Sequence, residues 1–164
     1  MRLRSRVAIW CGKLAYTMSR GLGKGNGSSL PGRVARKIDP QILSVMSGMV
    51  REKIIAVTGT NGKTTTTSLM AHVLTQSGKK VVWNRMGANL MDGATTAFVQ
   101  AAGKSGRLDA DYACIEVDEM ASLRVFPQLK PDCVLVTNIF RDQLDRTCEV
   151  DITCGQIQKA MQTV

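Results

Sequence analysis

Lys53-Ile54-Ile55-Ala56-Val57 runs directly into Thr58-Gly59-Thr60-Asn61-Gly62-Lys63-Thr64-Thr65. A short apolar run of this kind, followed by a glycine-containing turn and then a helical pattern, reads as strand, phosphate loop and helix. The chemistry lies in the turn. Glycines let the backbone wrap so that its N–H groups face an anion. The helix that follows points its positive end at the same place. Lys63 can reach β- and γ-phosphates, and the Thr64 hydroxyl can ligate Mg²⁺. The strict Walker A spacing asks for glycine at position 57, where this chain has Val57, so the loop is a variant.

Outward from the loop, apolar runs alternate with helical patterns. Lys80–Trp83, Tyr112–Val117 and Cys133–Val136 are further strand candidates. Leu69, Met70, Val73 and Leu74 mark the buried face expected for the helix after the loop. Helices are also expected over 94–102, 121–128 and 151–161. Uniformly apolar strands separated by helices predict an α/β fold of the P-loop type, with a mostly parallel sheet and flanking helices. Upstream, Leu3, Val7, Trp10, Leu14 and Met18 share one face of an amphipathic helix over 3–20. A Gly/Ser-rich linker follows over 21–30. Pro31 opens a short helix, and Asp39-Pro40 reads as N-cap and first residue of another through Met46. Residues 1–50 are thus a basic helical extension, and 51–164 the nucleotide-binding part.

The chain has 164 residues, 44% hydrophobic and 21% charged, the composition of one globular unit with a core. Its longest apolar stretch, Val7–Cys11, is too short to cross a membrane. The net charge of +9 is unevenly spread: residues 1–38 hold nine Lys or Arg and no acid, and the remainder holds 13 of each sign. A nucleic-acid function would rest on that extension alone, and with 4% aromatics there is little to stack bases on, so nucleic acid is not an expected partner. Five cysteines without a CxxC indicate a reducing, cytosolic setting. Cys114 and Cys133, inside strand-like runs, read as small hydrophobes. Cys148 and Cys154 have poor zinc spacing and no nearby His. His72 reads as a packing or surface residue.

With two later stretches, the loop resembles the ATP-binding signature of the Mur ligases and folylpolyglutamate synthases. Ile115-Glu116-Val117-Asp118-Glu119 looks like the strand end that supplies a Mg²⁺-binding Glu. Val136-Thr137-Asn138-Ile139 and Arg141-Asp142-Gln143-Leu144-Asp145-Arg146 look like that family's TN…DHLD segment. These stretches, with Gly87–Leu90 (GANL) and Gly27–Gly32 (GSSLPG), are most similar to the MurT-type branch of the family.

The resemblance implies an incomplete Mur ligase central domain, the N-terminal part of a longer ATP-dependent carbon–nitrogen ligase. In that branch the D-glutamate α-carboxylate of lipid II becomes an acyl phosphate and then an amide, within peptidoglycan biosynthesis. Ammonia would come from a GatD-type glutaminase subunit. ATP and Mg²⁺ are the implied cofactors, with zinc expected only further downstream. Lys63 and Glu116 take the catalytic roles. Gly59, Thr60, Asn61, Gly62, Lys63, Thr64, Thr65, Asn138 and Asp142 would bind nucleotide, and Thr64 and Glu116 the metal. Gln143, where many Mur ligases have His, leaves a second metal site open.

The resemblance also implies that this chain alone does not catalyse amidation. The alternatives are a non-catalytic nucleotide-binding fragment, an amino-acid-adding Mur ligase, or a folylpolyglutamate synthase. A cytoplasmic location at the inner face of the cell membrane follows from the lipid-linked substrate. Residues 1–20 then have two settings: against that membrane, or packed on the ATPase domain. Packing is the expected one, because amphipathic helices in globular chains usually face a core.

Overall fold

The computed structural model describes residues 1–21, 29–140 and 150–164. Four strands, β1 (Lys53–Thr58), β2 (Val81–Trp83), β3 (Tyr112–Glu116) and β4 (Cys133–Val136), form one sheet in the order β2-β3-β1-β4. All three pairings are parallel. Register sets Val57 beside Glu116 and Thr58 beside Val136. The turns leaving β1, β3 and β4 therefore emerge together at the carboxyl edge, where open α/β sheets bind ligands.

The crossovers are α4 (Lys63–Gln76), α5 (Met91–Ala101) and α6 (Ser122–Leu129), and α7 (Val150–Met161) follows. Three helices precede the sheet: α1 (Leu3–Gly21), α2 (Leu30–Ile38) and α3 (Ile42–Ser47). They share its core. Ala8, Ile9, Ala35, Ile42, Leu43 and Met46 belong to one apolar cluster with strand residues Ile54, Ala56, Ala113 and Ile115. Phe98 of α5 and Phe126 of α6 are fully buried in it.

Pro31 lies in the first turn of α2, where its missing N–H is not needed. Pro40 forces Asp39 out of the helical region (φ −131°, ψ 98°), which ends α2. The next helix starts later than expected: Gln41, not Asp39, holds the N-cap position of α3. The Asp39 carboxylate instead accepts the Gln41 N–H at 3.2 Å and the Ser5 hydroxyl at 2.7 Å, tying α1 to this corner.

Two helices bury other faces than their apolar spacing predicts. α1 packs on α2 and α5 through Ser5, Ala8, Ile9, Gly12 and Ser19. A Cβ on Gly12 would stand 2.9 Å from both the Pro31 oxygen and Val99 Cγ1, so small residues set the close approach. Leu3, Val7, Trp10, Leu14 and Met18 face outward. In α4, Leu69 and Val73 are 64% and 57% exposed, Met70 and Leu74 are half-buried, and Thr67 and Ala71 are buried. Thr64, Thr67 and Ala71 lie at i, i+3 and i+7 on one line. Fixing Thr64 at the sheet edge thus turns Leu69 and Val73 away.

Cys133 is exposed on β4, contrary to the apolar expectation; among the described residues β4 pairs with β1 alone, which leaves it at the edge of the sheet. Cys114 sits inside β3, where burial pushes its thiol up to about 11. Alkylation of the native protein followed by peptide mass spectrometry is therefore expected to label Cys133 and Cys154 quickly. Cys114 should be labelled only after unfolding.

Candidate nucleotide site

The loop after β1 is shaped by two glycines and held by the segment after β4. Gly59 has φ +122°, and a Cβ there would overlap Thr137 Oγ1 and lie 2.6 Å from the Asn138 oxygen. Thr60 N–H donates to the Asn138 carbonyl at 2.8 Å, and Asn61 N–H to Asn138 Oδ1 at 3.0 Å. Asn138 Nδ2 and Thr137 Oγ1 donate back to the Asn61 carbonyl at 3.1 and 2.7 Å. Asn138 thus braces the loop through its carbonyl and its side chain. Gly62 caps α4 in the left-handed region at φ +81°. No side chain caps that helix end, so Lys63, Thr64 and Thr65 open α4 with first-turn N–H groups available to an anion.

Lys63 Nζ donates to the Gly59 carbonyl and, at 3.0 Å, to that of Thr60. Its counter-ion is Glu119, 3.4 Å away, with both side chains 13% exposed. The sequence presents Glu119 only as part of a charged strand end. The parallel register brings it to the lysine.

Thr64 Oγ1 donates to Glu116 Oε2 at 2.7 Å, so the two expected metal ligands are in contact. Glu116 is 3% exposed. Burial pushes its pKa above the ordinary carboxylate value, offset in part by Thr64, the nearby Lys63 charge and Asn89. Residues 84–89 fold over this pair. Gly87, at φ +62°, comes so close that a Cβ would stand 3.3 Å from Thr64 Oγ1. Asn89 Nδ2 stands 3.5 Å from Glu116 Oε1.

Buried Asn84 clamps the Glu116 backbone. Its Oδ1 accepts the Glu116 N–H at 2.9 Å, and its Nδ2 donates to the Glu116 carbonyl at 2.8 Å and to the Ala88 carbonyl at 2.9 Å. Asn84 has no motif spacing to reveal it. Asn89 lies within the GANL stretch, which was its one signal. Asp142, Gln143, Asp145, Arg146 and Cys148 lie outside the described residues. His72 is exposed, edge-on to Trp83 with ring centres 6.4 Å apart.

A family model described as the Mur ligase middle domain matches residues 57–151. The chain belongs to the Mur ligase family. The matched stretch is that family's ATP-binding domain. Over 97% of its length this Mur ligase chain is 38% identical to the lipid II isoglutaminyl synthase (glutamine-hydrolyzing) subunit MurT of Staphylococcus aureus, covering 35% of that protein. Over its full length it is 36% identical to the MurT subunit of Streptococcus pneumoniae, again covering 35%. It therefore spans about a third of these relatives. A UDP-N-acetylmuramoylalanine–D-glutamate ligase from a Caulobacter species is 39% identical over 58% of the chain and 18% of that enzyme. In fold, the chain matches MurF of Acinetobacter baumannii with a TM-score of 0.63 at 18% identity, over 80% of this chain and 28% of that one.

The donor set of this Mur ligase site fits a small hard cation. It offers one hydroxyl and one carboxylate, both oxygen, as Mg²⁺ sites shared with phosphates do. The carboxylate is desolvated, and Lys63 bonds Glu119 rather than Glu116. A cation beside Thr64 and Glu116 would supply the missing charge. Among the described residues no group of three or more His, Cys, Asp or Glu is placed to hold a metal ion.

Proposed function

We propose that this chain supplies the ATP-binding part of a ligase that amidates the D-glutamate α-carboxylate of lipid II through an acyl phosphate. The contact between Thr64 and Glu116, one residue from Lys63 at an uncapped helix start, carries the nucleotide assignment. The choice of branch is supported by extent. Similarity to the MurT subunits runs through the N-terminal helices, whereas similarity to the amino-acid-adding ligases covers 58% to 70% of the chain. A GatD-type glutaminase as ammonia source, lipid II as substrate and a cytoplasmic location come with that branch.

Each residue then has one task. The N–H groups of the first α4 turn bind phosphate oxygens, and Gly59 and Gly62 shape the loop that aims them. Lys63 exchanges the Gly59 and Thr60 carbonyls for phosphate oxygens and neutralises charge that builds up on transfer. Thr64 and Glu116 hold Mg²⁺, with Asn84 fixing the Glu116 backbone. Bound Mg-ATP would supply the γ-phosphoryl group that activates the carboxylate. Asn138 keeps the loop in shape throughout.

Titration calorimetry of ATP with and without Mg²⁺ tests this. Mg²⁺ is expected to tighten binding by about tenfold in the wild type, the size of one well-formed ionic contact. Glu116→Gln should lose that gain and keep the metal-free affinity. Because burial opposes charge on Glu116, Glu116→Gln should also melt higher than wild type in EDTA. Equal Mg²⁺ dependence in both proteins would remove the metal role. The chain by itself is expected to bind Mg-ATP without amidating lipid II. Phosphate release with lipid II and ammonia would contradict that part.

A further inference from the structure

α1 carries two opposed faces. Ser5, Ala8, Gly12 and Ser19 pack inward. Leu3, Val7, Trp10, Leu14 and Met18 are 76%, 46%, 53%, 60% and 56% exposed. At 100° per residue these five fall within an arc of about 80°, and at 1.5 Å per residue they run for about 22 Å. A continuous apolar stripe of that length on a chain's surface marks an interaction site.

Charge identifies what covers it. Residues 1–38 hold nine basic side chains and no acid. Arg2 and Arg6 are exposed along one flank of the stripe and form no ion pair with a described residue. A second copy packed stripe to stripe would bring no acid from its own residues 1–38 to meet these arginines. Trp10 at the middle of the stripe, with arginines beside it, suits the boundary between lipid headgroups and acyl chains. None of the described helices is long and apolar enough to cross a membrane, so α1 would lie in the plane of the surface.

We infer that α1 docks this protein on an anionic lipid bilayer, with Leu3, Val7, Trp10, Leu14 and Met18 entering the interface and Arg2 and Arg6 on the headgroups. The inference is independent of the ligase reading. A chain that binds vesicles but no nucleotide keeps the first and loses the second.

Co-flotation of the whole chain with vesicles tests it. Binding is expected on mixed phosphatidylglycerol–phosphatidylcholine vesicles, with about tenfold weaker binding on phosphatidylcholine alone and after addition of high salt. Trp10→Ser combined with Leu14→Ser should lower vesicle affinity about tenfold or more while leaving circular dichroism and ATP affinity unchanged, because both side chains are exposed. Arg2→Gln with Arg6→Gln should remove most of the preference for anionic lipid. Absence of flotation, or flotation indifferent to Trp10→Ser/Leu14→Ser, overturns the inference. So does a concentration-dependent dimer in sedimentation that this double variant abolishes without any vesicle binding.

Discussion

Lys63→Ala is expected to weaken Mg-ATP binding roughly a hundredfold, the equivalent of about 3 kcal/mol. The ammonium sits among the Gly59 and Thr60 carbonyls and Glu119, with the side chain 13% exposed, so it is poorly hydrated and already in place. A phosphate arriving at the start of α4 exchanges these acceptors for stronger, charged ones at small cost in side-chain entropy. Alanine removes that partner and leaves the Glu119 charge facing the incoming phosphates. Stability should change far less, by about 1 kcal/mol, since the two carbonyls can turn to water. Calorimetric affinity and a thermal melt measured on the same preparation separate the two effects. An affinity within threefold of wild type would sink the assignment of the loop.

Gly32→Ala is expected to produce the largest loss of stability, about 3 kcal/mol, which for a chain of this size lowers the melting temperature by about 10 °C. α2 crosses α5 with backbone against backbone. A Cβ on Gly32 would overlap the Asp92 carbonyl oxygen and stand 2.8 Å from Thr96 Oγ1. Neither is the free end of a flexible side chain. The same approach lets Gly32 N–H donate to Thr96 Oγ1 at 2.9 Å and Arg36 reach Asp92 at 2.6 Å, so moving the helices apart loses both. Gly155→Ala in α7 is the matched control. Nothing lies within 4 Å of its Cβ position, and helix propensity makes it neutral or stabilising by up to about 1 kcal/mol. If both variants melt alike, the close crossing does not hold the N-terminal helices in place.

The glycine at position 32 shows why motif and geometry are different kinds of information. As part of the GSSLPG stretch it contributes to the resemblance, but its neighbours, Asp92 and Thr96, are about sixty residues away. Glu119 and Asn84 are similar cases. Glu119 becomes a partner of Lys63 only once β3 pairs beside β1, and Asn84 a partner of Glu116 only once β2 pairs beside β3. Thr64 and Glu116 were each singled out in the sequence, Thr64 by loop chemistry and Glu116 by resemblance to the family's strand end, because each belongs to a local stretch. Their 2.7 Å contact is a property of register.

The sequence by itself determined the loop, the alternation of strands and helices, the parallel sheet and the α2 boundaries. These depend on local causes: glycine at positive φ, proline at fixed φ, and apolar runs of strand or helix length. Which side of each helix meets the core was decided only by the tertiary structure. In α1 the large apolar stripe is the obvious face, yet the small one is buried, because Ser5, Ala8 and Gly12 let the helix approach Pro31 and Val99 closely. In α4 the choice was made at its first turn, where Thr64 had to meet Glu116 and the rest of the helix turned with it. Periodicity states that a helix has an apolar side. The shape of the neighbouring elements determines which side is enclosed.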